Sequence, residues 1–305
     1  MAVLKGLIEA LKQQQPISWA GVLDLCLAVA RKRTRHTRSG RTITQPGWKE
    51  ACWQAIELLT LGCREASSAL PLALRERVWM VLHPLTLDSN PTPAEERPFD
   101  SDRRDRIDLA ETTVRGKALV GVLAYAEWVM RSSDQEGTGA GTDGQRHDGE
   151  GLPVEVQAVL DGHLDKSHDP SPAVHSFYGQ AIPRLHQLDP AWVARQLDRI
   201  FTRGEDVRPY RQAAWDAYCA FWRPGTALFT FLEGEYRYAI DELERYARPR
   251  ASAFEPEGWL VSHLIFLACQ GVIAPNEPVG LLGDFFAKAP RALRWLFWEG
   301  IGLAS

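Results

Sequence analysis

The residue groups whose types could do chemistry are few, and each has a plain structural alternative. Gly139, Gly141 and Gly144 spell G-x-G-x-x-G. That pattern cradles a pyrophosphate only when a strand precedes it and a helix follows, so that backbone N–H groups and the helix dipole meet the anion. Here it lies in a Gly/Asp/Ser run with neither, and it reads as linker. Val114-Arg115-Gly116-Lys117 holds the Gly-Lys pair of a phosphate loop, but such a loop needs Gly at 111 and Ser or Thr at 118. The chain has Glu111 and Ala118. Asp161, His163, Asp165, His168 and Asp169 crowd one short stretch. A metal wants convergent lone pairs, and His-x4-His is not a helix-face spacing. The cluster reads instead as solvation of a helix C-terminus and a turn, where the dipole favours imidazole. Arg31, Lys32, Arg33, Arg35, Arg38 and Arg41 could contact phosphates and bind nucleic acid in a salt-dependent way. A solvated connector between helices, residues 31–42, is the competing reading.

Other chemistry is not announced. The chain has no Gly-x-Ser-x-Gly, no His-Glu-x-x-His and no Cys joined to a His in a motif. Glu95 and Glu96 sit in a Pro-rich, charged stretch and read as solvated. Arg115, followed by Gly and close to an apolar stripe, is expected to span a gap between helices and bond their terminal carbonyls. Tyr178-Gly179-Gln180 is read as structural as well. The expectation is therefore no catalytic residue, no metal and no cofactor: not an enzyme.

The elements that would position these groups are helices. From Asp169 to Phe201 the chain reads as a helix, a Leu188-Asp189-Pro190 corner and a second helix; a third follows at 213–222. Trp192, Val193, Gln196, Leu197, Ile200 and Phe201 recur at helical spacing, as do Trp215, Tyr218, Cys219 and Trp222. Each helix carries one apolar stripe and needs neighbours on that side. The same holds for Trp19, Val22, Leu23, Cys26 and Leu27, with Ser18 as a possible cap, and for Trp48, Cys52, Ala55, Ile56 and Leu59, with Gly62 as a stop. Leu74, Val78, Trp79 and Leu82 form another, ended by His83-Pro84. A long helix is expected over 108–131, burying Ala118, Leu119, Val122, Leu123, Ala126, Val129 and Met130. Gly116 and Gly121 lie inside it, and close helix contact is the expected reason for at least one.

No convincing strand appears and no fixed repeat period shows. The fold class is all-α: an α-solenoid of antiparallel helix pairs, HEAT- or TPR-like with irregular repeats. Three parts are expected: a helical half at 1–131, a flexible Gly-rich loop at 132–152 and a second helical half at 153–305. The sequence ends on LFWEGIGLAS without a polar capping helix, which reads as a solenoid cut short or one that docks on something.

Bulk properties bound the partners. The 305 residues carry a net charge of -4, so nucleic-acid or membrane binding would need a local patch. Eleven Trp against three Met suits wedge-shaped gaps between paired helices, and binding surfaces too. Five scattered cysteines, with no signal peptide evident, point to reduced thiols in the cytoplasm. No run approaches a membrane span. Off-stripe positions nominate Trp222, Arg223, Tyr236, Arg237, Tyr238 and Arg248 as partner-binding residues.

Several phrases occur together: PISWAGVLDLC, ALRERVWMVLHPLTLDSNPTPAEE, TTVRGKALVGVLAYAEWV, DPSPAVHSFYGQAIPRLHQLDPAWV and QAAWDAYCAFW. With them the chain, over residues 15–305, resembles the helical-repeat region of very large prokaryotic anti-phage defence proteins of the STAND and related P-loop NTPase types. The resemblance implies a sensor arm that binds a phage or cellular ligand and passes the event to an NTPase. The partner would be a phage protein or a cognate NTPase or effector subunit. The family pattern has Asn two residues before Val-Arg-Gly, where this chain has Thr112, and the nucleotide machinery has no counterpart here. The matching positions are structural, so no catalytic residue carries over.

Overall fold

Prolines and short polar caps punctuate the chain, and helices fill the intervals. The computed structural model describes residues 2–37, 47–64, 70–96, 103–137, 151–246, 252, 254–274 and 280–304, with some side chains at helix ends excepted. Among them there is no strand.

The first half contains α1 (Ala2–Lys12), α2 (Trp19–Thr37), α3 (Trp48–Arg64), α4 (Arg75–Thr86), the short α5 (Pro93–Glu96), α6 (Arg103–Glu111) and α7 (Val114–Gly137). Four boundaries depart from expectation. The basic run is helical through Thr37, because α2 continues past its apolar stripe; Arg38 and Arg41 lie outside the described residues. Gly62 does not end α3. It lies inside the helix, where a Cβ would sit 2.2 Å from the Trp19 ring, so the glycine makes room for that indole. The long helix is two: Thr112 and Thr113 break it, and Thr113 Oγ1 accepts the Gly116 N–H to start α7. Pro84 also falls inside α4, which runs on to Thr86.

The second half contains α8 (Val154–Leu164), α9 (Pro172–Leu188), α10 (Pro190–Ile200), α11 (Arg208–Phe221), α12 (Thr226–Asp241), the short α13 (Leu243–Tyr246), α14 (Pro256–Cys269), α15 (Leu281–Lys288) and α16 (Arg291–Ala304). Ser171 caps α9 by accepting the Val174 N–H, with Pro172 pre-set for the first turn. Asp189 caps α10 in the same way through the Trp192 N–H. The Asp189 carboxylate also accepts the Leu152 N–H at 3.1 Å, tying the start of the second half to this corner.

Helices two apart in the chain lie side by side: α1 on α3, α2 on α4, α9 on α11, α14 on α16. The closest crossing joins α9 to α11. A Cβ on Gly179 would stand 1.7 Å from the Ala214 carbonyl oxygen, so only glycine lets these backbones meet. Gly121 plays a milder version of this part against Leu82 and Ile56. The two halves share one hydrophobic cluster, in which α7 contributes Leu119, Val122 and Tyr125 and α9 contributes Phe177, Tyr178 and Ile182. α6 and α7 both pack on α9, and α6 also reaches α11. α7 runs six residues past the expected edge of the linker, and 138–150, with the Gly139–Gly144 motif, lie outside the described residues. None of the described helices is long and apolar enough to cross a membrane.

Candidate binding site

The residues nominated for partner binding do not form one surface. Tyr236 is fully buried: α12 turns it onto Trp215 and Tyr218, and its hydroxyl bonds His263 Nδ1 at 2.7 Å. It is a core residue, because the inward stripe of α12 is set by Phe229, Leu232 and Ile240 and Tyr236 falls within it. Trp222 is half-buried and donates its indole N–H to the Gln180 carbonyl. Arg223 is exposed over Phe266, and Arg237 is engaged by Glu233 and Asp284, both at 2.8 Å. Tyr238 is clasped between Arg203 and Arg211, whose guanidinium carbons lie 4.1 and 3.9 Å from its ring centre. Arg248 lies outside the described residues. In the basic run, Arg31 is exposed.

Of the titratable groups read as solvated, Glu95, Asp165 and His168 are exposed, while Glu96, His163 and Asp169 are buried. Glu96 is buried and accepts the Ala173 N–H at 3.2 Å, so it caps α9 from 77 residues away. Burial pushes its carboxyl upward. His163 Nδ1 lies 2.6 Å from Asp169 Oδ2, both buried, and Arg115 Nη1 reaches the other Asp169 oxygen at 3.3 Å. Arg115 also donates to the Pro91 carbonyl, so it bridges a loop and the α8–α9 turn as a structural tie. Asp165 holds the Ser167 turn, and Asp161 accepts from the Trp192 indole. No group of three or more His, Cys, Asp or Glu suited to holding a metal occurs among the described residues. The two fully enclosed histidines are neutral. His175 Nε2 bonds the Ile200 carbonyl at 2.9 Å, His263 Nε2 bonds the Trp222 carbonyl at 2.6 Å, and burial pulls both down to about 4. Cys26 and Cys63 are buried and pushed up to about 12 by desolvation, which makes them poor nucleophiles.

Two places keep capacity for a partner. One is a cleft where α6, α11, α12 and α14 meet, lined by Arg103, Arg208, Arg211, Tyr238, Glu242 and Glu257 among others. Asp216 beneath it is fully buried and bonded by Arg103, and Arg103 also bonds Glu257. The sequence reading passed over the Arg211–Glu235 pair. Its signal was available: Glu235 stands in register with Leu228, Leu232 and Ala239, and a carboxylate inside an apolar stripe asks for a buried cation.

The other is the outer face of α16. Leu293 and Phe297 pack inward, leaving Trp295 64% and Trp298 60% exposed. Arg291 and Arg294 share that face at helical spacing and are exposed as well. Trp298 is not loose: it stacks on Phe286 with ring centres 5.4 Å apart and planes 21° apart. Comparison with known proteins adds no name to either place, since no family model, curated protein or solved structure matches the chain.

Proposed function

We propose that this chain is a non-catalytic recognition or scaffold module, an α-solenoid arm of a prokaryotic anti-phage defence system that binds a protein partner. The observation that carries the recognition part is the α16 face. Two large indoles stand in water beside two arginines, one of them fixed by a stacked Phe286. Trp and Arg are the residues that most often anchor interfaces, and a pre-set ring loses little freedom on binding. The arginines favour a partner whose apolar patch is bordered by carboxylates. The defence assignment rests on the sequence phrases, whose positions lie in the seams: Arg115, Tyr178 and Gly179 hold helices to one another. That distribution fits an arm whose shape matters more than its reactive groups.

The test is affinity capture from phage-infected and uninfected bacterial lysates, run in parallel with the wild type and Trp295→Ala/Trp298→Ala. A protein retained by the wild type and lost with the variant, whose melting temperature stays unchanged, supports the reading. Identical capture by both forms overturns the α16 face as the docking site. A second reading is favoured by the helical extension of α2, which carries Lys32, Arg33 and Arg35 on a regular helix. It predicts nucleic-acid affinity that falls steeply with salt and disappears when those residues and Arg31 are neutralised.

A further inference from the structure

The outer face of α16 has an order along its length. From the start of the helix it presents Arg291, Arg294, Trp295, Trp298, Glu299 and Gly302, all exposed. Two cations stand at one end, a carboxylate and a glycine at the other, and two indoles lie between them. Inside the chain these charges do little. Among the described residues Arg294 donates only to the Phe286 carbonyl, at 3.4 Å, and Arg291 and Glu299 have no bonded partner.

A face ordered in this way is complementary to itself. Two copies of α16 laid antiparallel, with a two-fold axis passing midway between Leu296 and Phe297, bring residues equidistant from that point to one level. Trp295 of each copy is then level with Trp298 of the other, and the basic start of each face lies against the acidic end of its mate. Arg291 comes level with Gly302. A Cβ on Gly302 would meet nothing within 4 Å, so packing inside the chain does not call for glycine there, whereas a second helix gains room for its Arg291 side chain. A parallel pair would set arginines on arginines. We propose that the α16 face is occupied by a second copy of this chain, the two α16 helices forming an isologous antiparallel pair. The inference rests on the reading of that face as a docking surface and names its partner. Trp295 and Trp298 are 64% and 60% exposed. Four such indoles cover roughly 400 to 600 Å² of ring surface, against the ~1,200 Å² of a stable interface, so the dimer is weak and depends on concentration.

Sedimentation velocity of the full chain over a wide concentration series tests this. The mass should rise from one chain to two, with a dissociation constant on the order of 10 µM. Trp295→Ala/Trp298→Ala should leave a monomer throughout. Glu299→Arg should weaken association about tenfold, because a two-fold axis counts each change twice, and Arg291→Glu should do the same. Arg291→Glu/Glu299→Arg should recover the loss, since the exchanged charges again meet their opposites. These charged side chains are exposed, so their variants decide the matter even if the tryptophan variant fails to fold. A dimer unmoved by all of these changes would overturn the pairing, as would a double charge variant no better than the single ones. A chain that stays monomeric, while the tryptophan variant still loses a lysate protein, overturns the second copy as occupant and leaves the docking reading standing. A monomer whose capture is unchanged overturns both.

Discussion

The seam between the halves and the α16 face use their side chains in opposite ways. In the seam, Arg115 and His163 reach the two oxygens of Asp169, and Glu96 receives the first N–H of α9. On α16, Leu293 and Phe297 pack inward while Trp295 and Trp298 stay 64% and 60% exposed. The first arrangement uses buried polar groups to hold helices in register, and the second leaves apolar rings uncovered.

The largest expected break in this contrast comes from pH. His175 and His263 titrate near 4 in the folded chain and at the ordinary value of 6.5 once unfolded. Between those values the unfolded chain binds protons that the folded one refuses, so stability is full above 6.5 and falls as pH drops toward 4. Near pH 4.5 the loss is on the order of 2 to 3 kcal/mol for each ring. Urea unfolding at pH 7 and 4.5 measures it. His263→Gln should flatten the slope by about half, which separates this effect from that of the carboxyls; Glu96, Asp216 and Glu235, raised by burial, act with the opposite sign.

Next in size is the α9–α11 crossing. Gly179→Ala drives a methyl into the Ala214 carbonyl, and neither backbone can yield without parting α9 from α11. A loss of about 3 kcal/mol is expected, at the upper end of overpacking effects. Gly121→Ala meets only the ends of Leu82 and Ile56 side chains and should cost clearly less. Equal losses at the two positions would mean that α9 and α11 are not held at this crossing. Smaller again is Glu96→Ala, which leaves the Ala173 N–H unpaired but removes a carboxylate that is itself reluctant to ionise. About 1 kcal/mol is expected, read from the same urea curves.

How much of this was legible follows from where the information lies. The helical class and most stripes were plain, because an apolar period records which side of a helix faces inward: Val22, Leu23, Cys26, Ile56, Val122 and Trp192 are all buried as their spacing implies. The Leu188-Asp189-Pro190 corner was local and readable. What spacing does not record is the element on the other side. Glu96 looked solvated because its acceptor role depends on a helix 77 residues away, and Gly62 looked like a stop because the Trp19 ring it admits belongs to another helix. Tyr236 was misplaced for a related reason: a tyrosine beside two charged or polar neighbours reads as surface until His263 is seen to meet its hydroxyl.

The α16 face should respond in the opposite sense to the seam. Trp295→Ala/Trp298→Ala removes two rings that are mostly in water, so their loss exposes little and opens no enclosed cavity. The ring contacts given up are those of Trp298 with Phe286 and Phe297. A stability change within about 1 kcal/mol is expected. A loss of several kcal/mol would mean that these indoles are needed for the packing of α16, and they would then belong with Tyr236 among residues mistaken for a surface. If stability holds while partner capture disappears, the contrast sharpens: buried polar residues are spent on shape, and recognition is carried by apolar rings that the fold leaves uncovered.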